Sequence, residues 1–359
     1  MTESAAIVEA LHNQARMCRD LGSPFTARLC DILARDLDRT TAFGRRILTW
    51  TGDPRRDALA LRACGALNAL AHSGDAAELA AVWPPERVDD HRLAGVIADI
   101  LPRFDLRLTE GLASPPQTNE VGRSAVLLGG ALVVAAETGL PLELFEIGAS
   151  AGLNLLFDRH RYDLGVGTWG PAASAVRIAC DWRGTPPPLD APLAVIARAG
   201  CDLMPIDPGD PHDRRRLLAY IWADQTERLE RTRAALEAAA AAGLRVERAE
   251  AGDWTEDHLA APPRSGRVRV VMHSVAWQYM AEATRARITD RLAAAGAAAT
   301  AAAPLAWLRM EGDAVAPESA AVLLTLWPGG ETRALGRADF HGRWVAWTIG
   351  HLRNVRESP

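Results

Sequence analysis

Apolar residues recur at helical spacing through the first third of the chain, then give way to short apolar runs separated by turns. Ile7, Val8, Leu11 and Ala15 fall on one helix face behind the capping residue Ser4, and Gly22 stops that helix. Ser23-Pro24 sets a cap before a proline at the first helical position, ahead of Leu29, Ile32, Leu33 and Leu37. Asp53-Pro54 repeats the device before Leu59, Ala63, Leu67 and Leu70. Leu93, Val96, Ile97 and Ile100 form a fourth face that ends at Pro102. The pattern predicts an all-helical N-terminal domain over 1–113, suited to capping a site or shaping a substrate. Ala113-Ser114-Pro115-Pro116-Gln117 breaks the periodicity and marks the boundary.

From 114 to 359 the pattern alternates. A helix over 118–137 carries Val121, Ala125, Leu128, Leu132 and Val133, and precedes an apolar run at 142–147. Strand-like runs follow at 193–197, 244–249, 268–272 and 305–310, separated by helical stretches, one of them long, over 213–242, with Gly243 as its stop. Two successive strands, 322–327 and 343–349, close the chain. Residues from about 158 to 191 are irregular and rich in Gly and Pro, and read as an insertion. Alternation of this kind predicts an α/β domain with a parallel sheet covered on both faces.

The most informative segment is Glu146-Ile147-Gly148-Ala149-Ser150-Ala151-Gly152-Leu153-Asn154, which follows the first strand. Gly148 and Gly152 let the backbone turn sharply and approach a ligand. Glu146, at the strand's carboxyl end, can accept hydrogen bonds from amino or hydroxyl groups. Upstream, Gln117, Thr118, Asn119, Glu120 and Arg123 gather more polar groups than helix capping requires, so Asn119 and Arg123 are candidate ligand contacts.

The acid-x-Gly-x-Ser-x-Gly spacing resembles the first motif of class I S-adenosylmethionine (SAM) dependent methyltransferases, with Ser150 where the middle glycine is usual. That resemblance implies a Rossmann-like sheet, mostly parallel, of about seven strands with the last inserted antiparallel. It implies SAM over 148–152, touching Glu146, Gly148, Ser150, Gly152 and Asn154. Asp202, in Gly200-Cys201-Asp202, would hold the ribose hydroxyls, with Asp181 as the alternative; Asp253 and Trp254 would hold the adenine. His273, after the fourth strand, is the expected general base and His341 the second choice. The whole chain also resembles an uncharacterised bacterial family of unknown function. It shares Gln117-Thr118-Asn119-Glu120, the 146–154 loop, Asp224-Gln225, His273-Ser274, Trp327-Pro328-Gly329-Gly330 and His341-Gly342.

The same loop spells Gly-x-Ser-x-Gly, the nucleophile elbow of α/β-hydrolases, with Ser150, Asp253 and His273 as a candidate triad. Sequence order weighs against it, because the elbow would sit on the first strand with only helices before it. A protein that binds SAM without turnover is a third reading. No acid stands about 20 residues past the loop, which disfavours a dinucleotide site. A net charge of −5 argues against a nucleic-acid footprint, so a small-molecule substrate is expected. Cys18, Cys30, Cys64, Cys180 and Cys201 show no metal-binding or disulfide spacing, and no signal peptide or membrane span is evident, which predicts a cytoplasmic location. The sequence is silent on oligomeric state.

Overall fold

The computed structural model describes residues 3–348. The side chain of Ser4, expected to cap the first helix, and Ile349, expected to end the last strand, lie outside the described residues. The chain divides into two compact units. One comprises 1–118 with 211–233, and the other 119–210 with 234–359.

The first unit is helical: α1 Glu3–Asp20, α2 Pro24–Asp36, α3 Ala42–Leu48, α4 Leu59–Ala71, α5 Ala77–Ala80, α6 Asp90–Arg103 and α7 Asp105–Gly111. The apolar faces read from the sequence form its core, with Leu11, Leu29, Leu33, Leu67, Leu70, Ile97 and Ile100 all buried. Local cues mislead at two helix starts. Asp53 bonds the backbone of Arg55 and Arg56 in a turn, and α4 begins only at Leu59. Ser23 stands at the N-cap of α2 without capping it; the carboxylate of Asp224 instead accepts from Phe25 N–H at 2.8 Å and meets the Ser23 hydroxyl.

Asp224 belongs to the segment 211–233, which the sequence reading assigned to the second domain. The single helix expected over 213–242 is two, Pro211–Ala219 and Thr226–Ala241, which are α9 and α10 in chain order. Asn68 anchors the segment. Its amide donates to Ala219 O (3.0 Å) and Ile221 O (2.9 Å), while its Oδ1 accepts from Trp83 Nε1 (2.8 Å). These groups are buried, so losing the amide strands them. Asn68→Ala is expected to destabilise the protein by about 2 kcal/mol, read as a lower urea midpoint with the slope retained; an unchanged midpoint would refute this anchoring.

Among the described residues, the second unit holds α8 Ser124–Thr138, α11 Ala251–Ala260 and α12 Glu282–Ala297 with twelve strands. In chain order these are β1 Leu142–Ile147, β2 Arg161–Asp163, β3 Thr168–Trp169, β4 Arg177–Ala179, β5 Asp181–Gly184, β6 Val195–Asp202, β7 Glu247–Arg248, β8 Val268–Ser274, β9 Leu305–Gly312, β10 Ala320–Trp327, β11 Glu331–Ala338 and β12 Trp344–Trp347. Nine form one mixed, mostly parallel sheet in the order β5-β12-β11-β10-β9-β8-β1-β6-β7. Strands β7, β6, β1, β8 and β9 run parallel. The expected seven strands with one antiparallel insertion are replaced by an antiparallel run, β9 to β12, and β5 then pairs parallel to β12. Short connections explain this, because a parallel crossover needs a dozen or more residues. Only 313–319 join β9 to β10, and 328–330 join β10 to β11.

The insertion at 158–191 contains a three-stranded sheet, β3-β2-β4, and supplies β5 to the main sheet's edge. Between the glycine loop and this insertion stands a 3-10 helix, Leu153–Arg159. α8 is buried all round, and Gly129 and Gly130 admit the rings of Trp182 and Trp347 and the side chain of Leu308. The stretch 121–138 is long and apolar enough to cross a membrane, but 83% of it is buried, as befits a core helix.

Candidate functional site

In the sheet β6 lies on one side of β1, and β8, later in the chain, lies on the other. At such a reversal the connecting loops part and leave a crevice at the strands' carboxyl ends. The 148–152 loop lies there.

Three of its five residues hold positive φ: Gly148 (68°), Ser150 (54°) and Gly152 (71°). A Cβ at Gly148 would lie 2.8 Å from Ala276 Cβ, and one at Gly152 would lie 2.8 Å from Leu244 Cδ2. Gly152 therefore answers to packing against Leu244 and Val246 as well as to turn geometry. Ser150 adopts a conformation that costs a non-glycine residue roughly 1–2 kcal/mol, and Asp202 holds it there. Asp202 Oδ2 accepts from Ser150 N–H and Oδ1 from Met204 N–H, each at 2.9 Å, while Ser150 O accepts from Ile206 N–H. The structure thus settles which acid adjoins the loop. Asp181 opens β5 at the far edge of the sheet and pairs with Arg183, whereas Asp202 clamps the loop itself.

Glu146 is 2% exposed, and burial pushes its carboxyl up to about 8 against the opposing Asn154 hydrogen bond and Arg123 charge, with Asp202 adding to the rise. Glu146 Oε2, Ser150 Oγ and Asn154 Oδ1 are buried without a hydrogen-bond partner among the described residues. Buried polar atoms are nearly always satisfied, so three unpartnered oxygens beside one loop ask for a hydrogen-bonding ligand.

Other expected contacts have structural work. Asn119 Oδ1 accepts from Leu153 N–H at 2.9 Å and so caps the 3-10 helix. Arg123 donates to Phe340 O (2.8 Å) and Ser274 O (3.1 Å), tying the 339–343 turn to the end of β8. His341 lies in that turn. Its carbonyl oxygen would meet a Cβ placed at Gly122 at 2.3 Å, and a Cβ at Gly342 would meet Gly122 O at 2.2 Å. The motif His341-Gly342 is thus a tight seat of one main chain on another.

Asp253 and Trp254 do not form the expected adenine site. Both lie in the first turn of α11, which Glu250 caps by accepting from Asp253 N–H at 3.0 Å. Asp253 points outward, its side chain 66% exposed, and pairs with Arg287 at 2.5 Å. Trp254 is core, its ring against His258 and Phe145. The triad drawn from Ser150, Asp253 and His273 is not assembled either, since none of the three bonds another.

His273 is fully buried with both ring nitrogens engaged. An indole N–H only donates, so Trp307 Nε1–H at 3.1 Å makes His273 Nε2 the acceptor and leaves the proton on Nδ1, 2.7 Å from Glu311 Oε1. Neither nitrogen offers a substrate a lone pair, which argues against the expected base. Trp277 stacks on His273 at 4.9 Å. Register places this group on the other sheet face from Glu146. Phe145, Val271 and Trp307 are in line across the sheet with the α12 residues Ile288 and Leu292, while Glu146 aligns with Met272 and Leu308. Glu311 escapes notice in the sequence, although Trp307, Arg309 and Glu311 recur at strand spacing on that face.

The fold is that of an α/β protein whose polar loop stands at a sheet reversal. The chain belongs to the family described as "Uncharacterized protein conserved in bacteria (DUF2332)", matched over residues 8–347. No curated protein and no solved structure matches it.

Proposed function

We propose that the crevice at 148–152 binds SAM and that the protein is a cytoplasmic, Rossmann-like SAM-dependent methyltransferase acting on a small molecule. The three unpartnered buried oxygens of Glu146, Ser150 and Asn154 carry the reading. They suit the ligand's ammonium group. Asp202, whose carboxylate clamps Ser150 and Met204 beside the loop, is placed to accept from the ribose hydroxyls. Five parallel strands reversing beside β1 support the same placement. The adenine half has no counterpart in Asp253 and Trp254. When bound, SAM supplies an electrophilic methyl group; the chain's part is to hold the ligand's polar end, keep water out and fix the loop. The engaged nitrogens of His273 favour a second reading, a protein that binds SAM without turnover.

Glu146 is mostly protonated at pH 7, and an ammonium beside it would draw the carboxyl into its charged form. Calorimetry at pH 7 in buffers of different ionisation enthalpy is therefore expected to show SAM binding with release of close to one proton. Glu146→Gln should abolish the release and weaken binding at least tenfold. Absence of binding by SAM and by its demethylated product at millimolar concentration would end this reading. Labelling of Ser150 by a fluorophosphonate would favour the hydrolase instead.

A further inference from the structure

The sheet face opposite Glu146 carries a cleft of about 440 Å³ that the loop reading leaves unused. Its lining includes His273, Trp277, Trp307, Arg285, Arg309 and Glu311, drawn from β8, β9, α12 and the 3-10 turn Trp277–Tyr279. Glu311 is the focal group. Its Oε1 accepts from His273 Nδ1 at 2.7 Å and from Ala276 N–H at 3.1 Å. Its Oε2 is buried with no partner. Because His273 Nε2 accepts from Trp307, the ring gives Glu311 only the single Nδ1–H bond.

The remaining charges set the ligand's polarity. Asp313, also on the wall, is answered by Arg337 at 2.9 Å and by the N–H groups of Val315 and Ala316. Arg309 lies over the Trp307 ring at 3.9 Å and donates to Thr325 Oγ1 at 3.1 Å, which fixes one cation on the aromatic wall. Arg285 lines the α12 side, one turn from Glu282. Both signs of charge therefore border an indole-walled space: a donor-starved carboxylate at the His273 end and guanidinium groups from Arg285 and Arg309. A carboxylate beside aromatic faces suits an ammonium, and guanidinium groups suit an anionic oxygen.

We propose that this cleft binds a small zwitterionic amine, its ammonium on Glu311, its anionic group toward Arg285 and Arg309, and its apolar body against Trp277. The proposal is independent of what occupies 148–152.

Three probes of one shape decide it: phenylalanine, phenethylamine, which lacks the carboxylate, and 3-phenylpropionate, which lacks the amine. Calorimetry on the full chain, without SAM, is expected to show phenylalanine at least tenfold tighter than either of the others. Glu311→Gln keeps an oxygen for His273 and Ala276, and should weaken phenylalanine and phenethylamine tenfold while leaving 3-phenylpropionate unchanged. Arg285→Gln should weaken the two carboxylates and spare phenethylamine; it touches the half-buried rim and decides the matter if the Glu311 variant melts early. Failure of all three probes to bind at millimolar concentration would overturn the proposal. So would equal affinity for phenylalanine and 3-phenylpropionate, or binding indifferent to both substitutions.

Discussion

The Glu146→Gln variant is expected to gain about 3 kcal/mol of stability relative to the wild type as pH rises from 5.5 to 9. The carboxyl titrates near 8 in the fold, against an ordinary value of 4.5, because burial penalises its charged form. A group raised in this way keeps its proton on folding between those values. Its contribution is complete below the lower value and is lost as pH climbs through the higher, at about 1.4 kcal/mol per pH unit within the window. His160 works oppositely: burial lowers it to about 4, so its contribution is lost as pH falls below 6.5. Comparing variant with wild type at each pH cancels the His160 effect. Urea melts at half-unit intervals measure the difference, and a gap that stays constant with pH would show that Glu146 is not desolvated.

Gly342→Val is expected to cost at least about 4 kcal/mol. Gly342 holds φ at 72°, a region that β-branched residues strongly avoid, and its added Cβ would sit 2.2 Å from Gly122 O and 2.9 Å from Arg123 N. The clash is with backbone, which cannot swing aside. It would push the 339–343 turn off the Val121–Arg123 segment and break the bonds of Arg123 to Phe340 O and Ser274 O. The denaturation midpoint measures it. A His341→Ala control is expected to change little, because the seat is made by the main chain of that residue; a larger loss from His341→Ala than from Gly342→Val would reverse the assignment.

The sequence was legible where one physical cause governs a local run. The β-branched stretch at 268–272 became a central strand, and small residues after an apolar run became the turn at the sheet reversal. It misled where one residue type serves two ends. The acid and indole of Gly252-Asp253-Trp254 read as a strand-end site, yet Glu250 starts the helix one turn earlier and sends Asp253 outward and Trp254 inward. Connection length was the overlooked cue for the antiparallel run after β9. Other features exist only after folding. Cys18, Cys30 and Cys64 are scattered in sequence but gather in one core, with Cys30 and Cys64 sulfurs 3.6 Å apart; the Cys30 hydrogen bond and burial push the Cys18 thiol well up. The Glu311–His273–Trp307 chain joins neighbouring strands 34 and 38 residues apart in sequence, beyond the reach of any local pattern.

The helical unit is assembled from two separate stretches of chain, and this limits how it could be cut out or transplanted. Because 211–233 supplies the carbonyls that Asn68 grips and the carboxylate that starts α2, the peptide thread passes between the units three times. A gene fusion at one junction cannot graft such a unit onto a sheet protein, nor can one nick release it. Removing residues 1–118 would strip the 211–233 segment of the Asn68 amide and the Phe25 N–H that it bonds, so neither stretch can form the helical unit without the other.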